Sequence, residues 1–356
     1  MTLQCMNVHH VRTLTDVKLN LHPRFNLFYG ANGSGKTSLL EACYLLSHGH
    51  SFRTRETGPL IQHGEAALTV FGSNSDSQTI SLQKNIDGTT RAQLNGQPCL
   101  RSSDLARFLP CHVLHHDIFN IIDAGPATRR QVLDEGLFHV KQSYLPAWRA
   151  YRQALKQRNA LLRQNASSAE FDPWDQAMDQ YARIIDQDRC AYIAEWNVVF
   201  QSMLETLSDL RCELRYERGW DKKNTGSALA SSLKEQLAQD RMRQYTYSGP
   251  HQADLFFDIQ PLGVKKHASR GQQKILLIAL KLSQTQLISQ PSIHLLDDLS
   301  SELDLSHLER VIQCLDTLPG QFFITGLDAD KLNTLMPQHT AQVFHLNAGE
   351  VCDLIN

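Results

Sequence analysis

The feature that most restricts this chain is the octapeptide Gly30-Ala31-Asn32-Gly33-Ser34-Gly35-Lys36-Thr37, which fits G-x-x-x-x-G-K-[ST] without a gap. Average residue frequencies give a chance match on the order of one per cent at this length. Context lowers it further: the apolar run Phe25 to Tyr29 leads into the octapeptide, and Ser38-Leu39-Leu40-Glu41-Ala42 continues it as a helix. That order is what the chemistry needs. Glycines let backbone N–H groups close around phosphates, and the helix start adds the positive end of its dipole. Lys36 is then placed to pair with β- and γ-phosphates and Thr37 to offer its hydroxyl to Mg2+. Gly30, Ala31, Asn32, Gly33, Ser34, Gly35 and Ser38 complete the expected cradle for ATP.

Two further segments supply what a P-loop lacks by itself. Ile293-His294-Leu295-Leu296-Asp297-Asp298 reads as an apolar strand ending in two carboxylates. Asp297 is expected to hold the metal, directly or through its water, and Asp298 to orient an attacking water. Ser269-Arg270-Gly271-Gln272-Gln273-Lys274 lies ahead of a helix, 28 residues before Asp297. A serine with a glycine two residues on, at a helix N-terminus, is a second anion-binding arrangement. Lys36 and its loop already surround one nucleotide, so the natural use of this second start is on a nucleotide held by another subunit.

The chain of 356 residues is long enough for two or three domains, or for one domain with a large insertion. Short strands dominate the first part: around Leu3 to Val8, Val17 to Leu21 and Phe25 to Tyr29, then from Ala66, Gln78 and Arg91, with hairpin dipeptides at Asp87-Gly88 and Asn95-Gly96. From about Thr128 the texture turns helical. Trp148, Tyr151, Leu155 and Leu162 form one stripe over 146–164, and a second helix runs from near Pro173 to about Leu210. Strands return at Cys212 to Tyr216 and Leu255 to Ile259. A helix at 270–289, a strand at 293–296, a helix at 307–318 and a strand at 322–325 follow. Such alternation implies a largely parallel sheet. The expected fold is α/β, a P-loop head from residues 1–120 and 243–356 interrupted by a helical arm at 121–242.

Net charge excludes little. Lys and Arg (35) against Asp and Glu (37) leave −2, so any nucleic-acid site must be a local patch. Between Gly136 and Ala169 there is no acidic residue and there are six basic ones. Arg149, Arg152, Lys156 and Arg163 follow helical spacing, a ridge suited to tracking phosphates without reading bases. The next helix carries Asp172, Asp175, Asp179, Asp186 and Asp188, so pairing across a hairpin is the competing use of that ridge. Arg53 and Arg55, in Ser51-Phe52-Arg53-Thr54-Arg55, are a second candidate contact. No apolar stretch approaches the ~20 residues of a membrane span, the N-terminus lacks a secretory pattern, and eight scattered cysteines form no C-x-x-C pair. A reducing cytoplasm is the expected home.

In order and spacing, GANGSGKT, SRGQ, LLDD and SELD resemble ABC-type ATPase heads of the SMC-like group. With HGHSFRTR after the P-loop, GPATRRQVLD at 125–134 and SGPHQADL at 248–255, the chain resembles the RecF family of bacterial recombination mediators over essentially its whole length. The resemblance implies an ATP-dependent homodimer with two nucleotides sandwiched between P-loop and opposing signature, weak hydrolysis, and DNA binding at junctions of single and double strand or at gapped duplex. It also implies cooperation with RecR and RecO in loading RecA, and a part in SOS induction. By position, Ser269, Gly271 and Gln272 match the signature and Asp304 the D-loop aspartate, while Arg12 stands where such heads carry an arginine that reaches the nucleotide. The sequence departs from the pattern in three places. His9-His10-Val11-Arg12-Thr13 replaces the usual start, Cys111-His112-Val113 holds no glutamine, and Phe322 to Asp328 holds no switch histidine. Thr325 is the remaining candidate for sensing the γ-phosphate. A stand-alone ABC ATPase energising another protein partner is the alternative reading. It leaves the helical insertion and GPATRR without a use, a long SMC rod would need a far longer insertion, and a small-molecule kinase gives no role to Ser269 or Asp304.

Overall fold

The computed structural model describes residues 2–164, 166–222, 225–259, 268–288, 290–299, 301, 303–326 and 341–353. Ser289, Ser300, Glu302, Leu327 and Asp328, which the sequence reading included in its motifs and helices, lie outside them. The chain begins with β1 (Cys5–Val11), β2 (Leu14–Asn20), β3 (Phe25–Tyr29) and α1 (Lys36–His48). It continues with β4 (Ala67–Ser73), β5 (Thr79–Asn85), β6 (Thr90–Leu94), β7 (Gln97–Pro98), α2 (Ser102–Phe108) and β8 (Cys111–Leu114). Helices α3 (Asn120–Asp123), α4 (Pro126–Val140), α5 (Tyr144–Arg163) and α6 (Asp172–Leu207) follow, then β9 (Cys212–Glu217), α7 (Leu229–Glu235), α8 (Leu237–Arg243) and β10 (Asp254–Ile259). The C-terminal part is α9 (Arg270–Gln286), β11 (Ile293–Leu296), α10 (Leu305–Thr317), β12 (Gln321–Gly326), β13 (Ala341–Asn347) and β14 (Glu350–Asp353).

Contacts divide the chain into two compact units, residues 1–118 with 289–356, and residues 119–288. The first holds two six-stranded sheets. One is antiparallel in the order β2-β1-β4-β5-β6-β7; the other runs β14-β13-β3-β12-β11-β8, parallel except for β14. Alternation explains the antiparallel sheet, since β4 and β5 bury every second residue. Asn95 and Gly96 both take positive φ, 50° and 76°, at the turn where that dipeptide is favoured. In the parallel sheet β3 is fully inside: Phe28 stacks between Phe323 (5.7 Å) and Phe344 (4.9 Å). Helix α1 buries most of its length in a core shared by residues of both sheets.

The second unit is mainly helical, with β9 and β10 as an antiparallel pair. Helix α6 has 36 residues, about 54 Å at 1.5 Å per residue, and lies against both α5 and α9. Its Trp196 Nε1 donates to Ser283 Oγ at 2.9 Å. Gln284 Nε2 donates to Val132 O (3.0 Å) and to the Tyr192 hydroxyl (3.2 Å). These bonds and the apolar face of α9 tie residues 243–288 to the helical unit, whereas the sequence-based division placed them with the head. The segments GPATRR and SGPHQADL meet here: Arg129 forms a two-pronged pair with Asp254 (2.8 and 3.0 Å) and Arg130 Nη1 donates to Ala253 O (2.7 Å). Among the described residues no helix is long and apolar enough to cross a membrane.

Candidate functional site

The loop between β3 and α1 is closed by crowding as much as by hydrogen bonds. A Cβ at Gly30 would strike the carbonyl oxygen of Leu346, and Gly35 takes φ 108°, which L side chains avoid. From the β13–β14 turn, Gly349 donates its N–H to Ser34 O at 3.0 Å. Lys36 Nζ donates to Gly30 O (2.6 Å) and Ala31 O (2.9 Å). Burial pushes the Lys36 pKa down, while the charges of Asp298 and Asp297 oppose the shift. An ammonium held only by neutral carbonyls is readily taken over by phosphate oxygens. Among the described residues Ser34 Oγ is buried without a hydrogen-bond partner, and Ala31, Asn32 and Gly33 are exposed at the mouth of the loop. This donor set fits a polyphosphate.

The metal half of the site is built across strands. Asp297 follows β11, yet β12 separates β11 from β3, and Thr325 of β12 spans that gap. Its Oγ1 donates to Asp297 Oδ1 (2.8 Å) and accepts from the Asp298 N–H (2.8 Å). Thr37 Oγ1 lies 3.1 Å from each Asp297 oxygen. A hydroxyl and a carboxylate this close are hard oxygen ligands, a fit for Mg2+ held by one or two protein groups plus phosphate. Asp298 is exposed with φ 49°, an orientation Asp tolerates better than most residues.

Arg12 is engaged by a partner that sequence reading missed. Its guanidinium grips Glu41 of α1 through Nε and Nη2, the latter at 2.9 Å, and Glu41 is fully buried. The Ser51 hydroxyl donates to the same carboxylate and accepts the N–H groups of Arg53 (2.8 Å) and Thr54 (3.2 Å). One acid on the P-loop helix therefore orders both Arg12 and the start of the Ser51–Arg55 loop, on which Arg53 and Arg55 are exposed. A lone Glu inside an apolar helix was the available signal.

The signature residues belong to the second unit. Ser269 caps α9 in a reciprocal box: its Oγ accepts from Gln272 N (3.3 Å), and Gln272 Oε1 accepts from Ser269 N (2.9 Å). Gln272 is thus spent on the cap, while Gly271 sits in the first turn. Asp304, in the first unit, caps α10 and takes hydrogen bonds from the N–H of His307 (2.9 Å), the His307 ring (2.8 Å) and the Ser306 hydroxyl (3.0 Å). The first of these does most to push its pKa down to about 2.

Arg149, Arg152, Lys156 and Arg163 are all exposed on α5. The aspartates of α6 have other partners: Asp175 pairs across the hairpin with Arg158, the buried arginine of α5, while Asp179 goes to Arg183, Asp186 to Arg218, Asp172 to Lys234, and Asp188 to the Ser143 hydroxyl. Among the described residues Arg152, Lys156 and Arg163 have no salt bridge, so the hairpin does not neutralise that part of the ridge.

Residues 2–351 match the model of the family described as RecF/RecN/SMC N terminal domain. A DNA replication and repair protein RecF of Acinetobacter baumannii is 40% identical over 363 residues, 99% of each chain. That of Cellvibrio japonicus is 36% identical over 99% of each, and that of Vibrio vulnificus 34% over 99% of each. A solved structure described as the recombination mediator protein RecF with ATP in the RecFOR pathway superposes with TM-score 0.87 at 24% identity, covering 99% of this chain and 98% of that one. An SMC head bound to the C-terminal winged-helix domain of ScpA gives 0.63 at 17%, covering 99% and 98%. The fold is that of the SMC/RecF ABC-type ATPase heads, and the chain belongs to the RecF family of DNA replication and repair proteins.

Proposed function

We propose that the chain is an ATP-dependent DNA-binding switch that acts as a recombination mediator. The observation that carries the reading is the Lys36–Thr37–Asp297–Thr325 constellation, in which a half-buried ammonium and an acidic oxygen set rest on partners that a nucleotide can replace. Lys36 would give up the carbonyls of Gly30 and Ala31 for phosphate oxygens. Thr37 and Asp297 would hold Mg2+, which supplies charge neutralisation at the phosphates. Asp298 would orient water; as the catalytic carboxylate it is one methylene shorter than Glu, which suits slow hydrolysis and a switch rather than a motor.

Two copies close in this reading, with Ser269 and Gly271 of one copy meeting the nucleotide of the other and Asp304 at the same interface. The ridge of α5 and the Arg53/Arg55 loop then meet duplex near a gap, and hydrolysis reopens the dimer. Support for the DNA half is the exposed, acid-free stripe on α5 together with the kinship to DNA replication and repair proteins. RecR, RecO and RecA are the partners that kinship suggests for loading recombinase at gaps, and SOS induction the downstream response. Sedimentation with and without ATP tests the core of this. Dimer is expected only with nucleotide, and Lys36→Met or Ser269→Arg should abolish it; a dimer indifferent to nucleotide overturns the sandwich.

A further inference from the structure

We propose that Tyr245 and Tyr247 form a stacking platform for the unpaired bases of a nucleic-acid strand whose phosphates run along Arg152, Lys156 and Arg163. The proposal rests on the DNA-binding reading above and assigns it a single-strand contact. Seven large apolar side chains stand exposed among the described residues, and three of them, Met242, Tyr245 and Tyr247, fall within six consecutive positions. Arg243 lies within that stretch and Arg241 just before it, so aromatic and basic residues interleave, the composition that sequence-tolerant single-strand sites use.

The platform is held rigidly, and it is held on the ridge. Thr246, between the two tyrosines, is 1% exposed. Its N–H and hydroxyl both donate to Asn159 Oδ1 (2.8 and 2.7 Å), its hydroxyl accepts from Arg158 Nη1 (2.8 Å), and its carbonyl lies 3.0 Å from His251 Nε2. Tyr247 N donates to Asp240 Oδ1 at 3.1 Å. With the residue between them turned into the protein, both tyrosines are presented outward. Asn159 belongs to the stripe itself: positions 152, 156, 159 and 163 are spaced by four, three and four and share one face of α5. The anchor therefore stands between Lys156 and Arg163.

Charge selects the occupant. Arg243 sits 4.7 Å from the centre of the Tyr247 ring, adding a guanidinium plane to the aromatic surface. The nearby Asp240 is buried and taken by Arg158 at 2.7 Å, so it offers no surface charge to an incoming anion. An apolar protein segment would leave this run of cations uncompensated, whereas a polynucleotide satisfies both features, phosphates on the stripe and base faces on the rings.

The test uses the full chain with ATP and Mg2+. Fluorescence anisotropy measures affinity for oligothymidine and for a blunt duplex of the same length over a range of salt. Tyr245→Ala and Tyr247→Ala should each weaken oligothymidine binding roughly 5- to 100-fold, with duplex affinity and salt slope unchanged, and Tyr247→Phe should retain binding. Lys156→Glu should weaken both strands and flatten the salt slope. Wild-type-like oligothymidine affinity in both alanine variants, or equal loss on single strand and duplex, overturns the platform while leaving the duplex reading intact. A wild-type chain that binds neither strand overturns both, and loss of a protein contact alone in the tyrosine variants reassigns the patch and ends the proposal.

Discussion

The P-loop centre holds charge partly out of water and the core of the helical unit holds it fully so, and the two satisfy it differently. In the helical unit Arg158 is fully buried between Asp175 and Asp240, each at 2.7 Å, and Arg189 is fully buried with Asp134 at 2.8 Å. Charge there meets opposite charge inside the same chain. At the P-loop, Lys36 meets two neutral carbonyls and Asp297 meets two hydroxyls. Burial acts on both places, pushing the Lys36 pKa down and that of Asp175 up against the pull of Arg158. The difference teaches how a fold separates scaffold from site: permanent counter-charges close one, and exchangeable dipoles leave the other open to a ligand.

The largest effect should come from breaking the closed centre. Arg158→Met strands two buried carboxylates and should cost about 3–5 kcal/mol, read from urea unfolding, with nucleotide affinity unchanged in the folded fraction. A loss of nucleotide affinity at preserved stability would erase the distinction between the two regions.

Acid should weaken both regions together, because each holds a neutral buried histidine. Burial lowers His251 in the helical unit to about 4 and His294 in the head to about 3. The unfolded chain binds a proton on each below pH 6.5, which the folded chain refuses until those lower values. Stability is therefore complete above pH 6.5 and falls as pH drops through the window to about 4 for His251 and about 3 for His294. The loss is about 1.4 kcal/mol per pH unit for each histidine. His251 accepts from the Tyr151 hydroxyl at Nδ1 (2.7 Å), and its Nε2 donates to Thr246 O (3.0 Å). His251→Gln should shallow the slope between pH 6 and 4.5; an unchanged slope would place the proton uptake elsewhere.

The smallest effect sharpens the open centre. Thr325→Val removes one bond to Asp297 and one to the Asp298 N–H, and should cost about 1 kcal/mol of stability. ATP hydrolysis should fall well beyond that while ATP affinity holds, as single-turnover kinetics would register. Equal loss of binding and hydrolysis would make Thr325 a mere support of the loop.

The parts legible in the sequence are those whose chemistry depends on near neighbours. The octapeptide, the carboxylates after an apolar strand and the serine ahead of a helix are local patterns, and the structure builds each on the expected element. Helix ends follow periodicity closely: the spacing predicts a helix over 146–164, and α5 runs Tyr144–Arg163. Contacts between distant segments left weaker traces. Nothing near Thr325 announces that β12 lies between β3 and β11, and Gly349 supports Ser34 from the far end of the chain. Strands β8 and β13 leave little trace in the sequence, because Cys111–Leu114 is four residues long and Ala341–Asn347 alternates only partly. Residues 243–288 joined the helical unit because the face of α9 matches α6, a property of two surfaces that spacing in one helix does not reveal.

The order of strands in the parallel sheet has a consequence for how the protein is born. Strand β3, which carries the P-loop, lies between β12 and β13, so both of its neighbours are translated roughly 300 residues after it. At ribosomal speeds of about 5–20 residues per second, the loop waits on the order of 15–60 s as an open edge before its sheet can form. A nucleotide that binds only the finished site, as proposed for ATP, would stabilise completed molecules and not the nascent chain. For that interval both edges of β3 stay unpaired, the condition under which a strand is most open to wrong pairing.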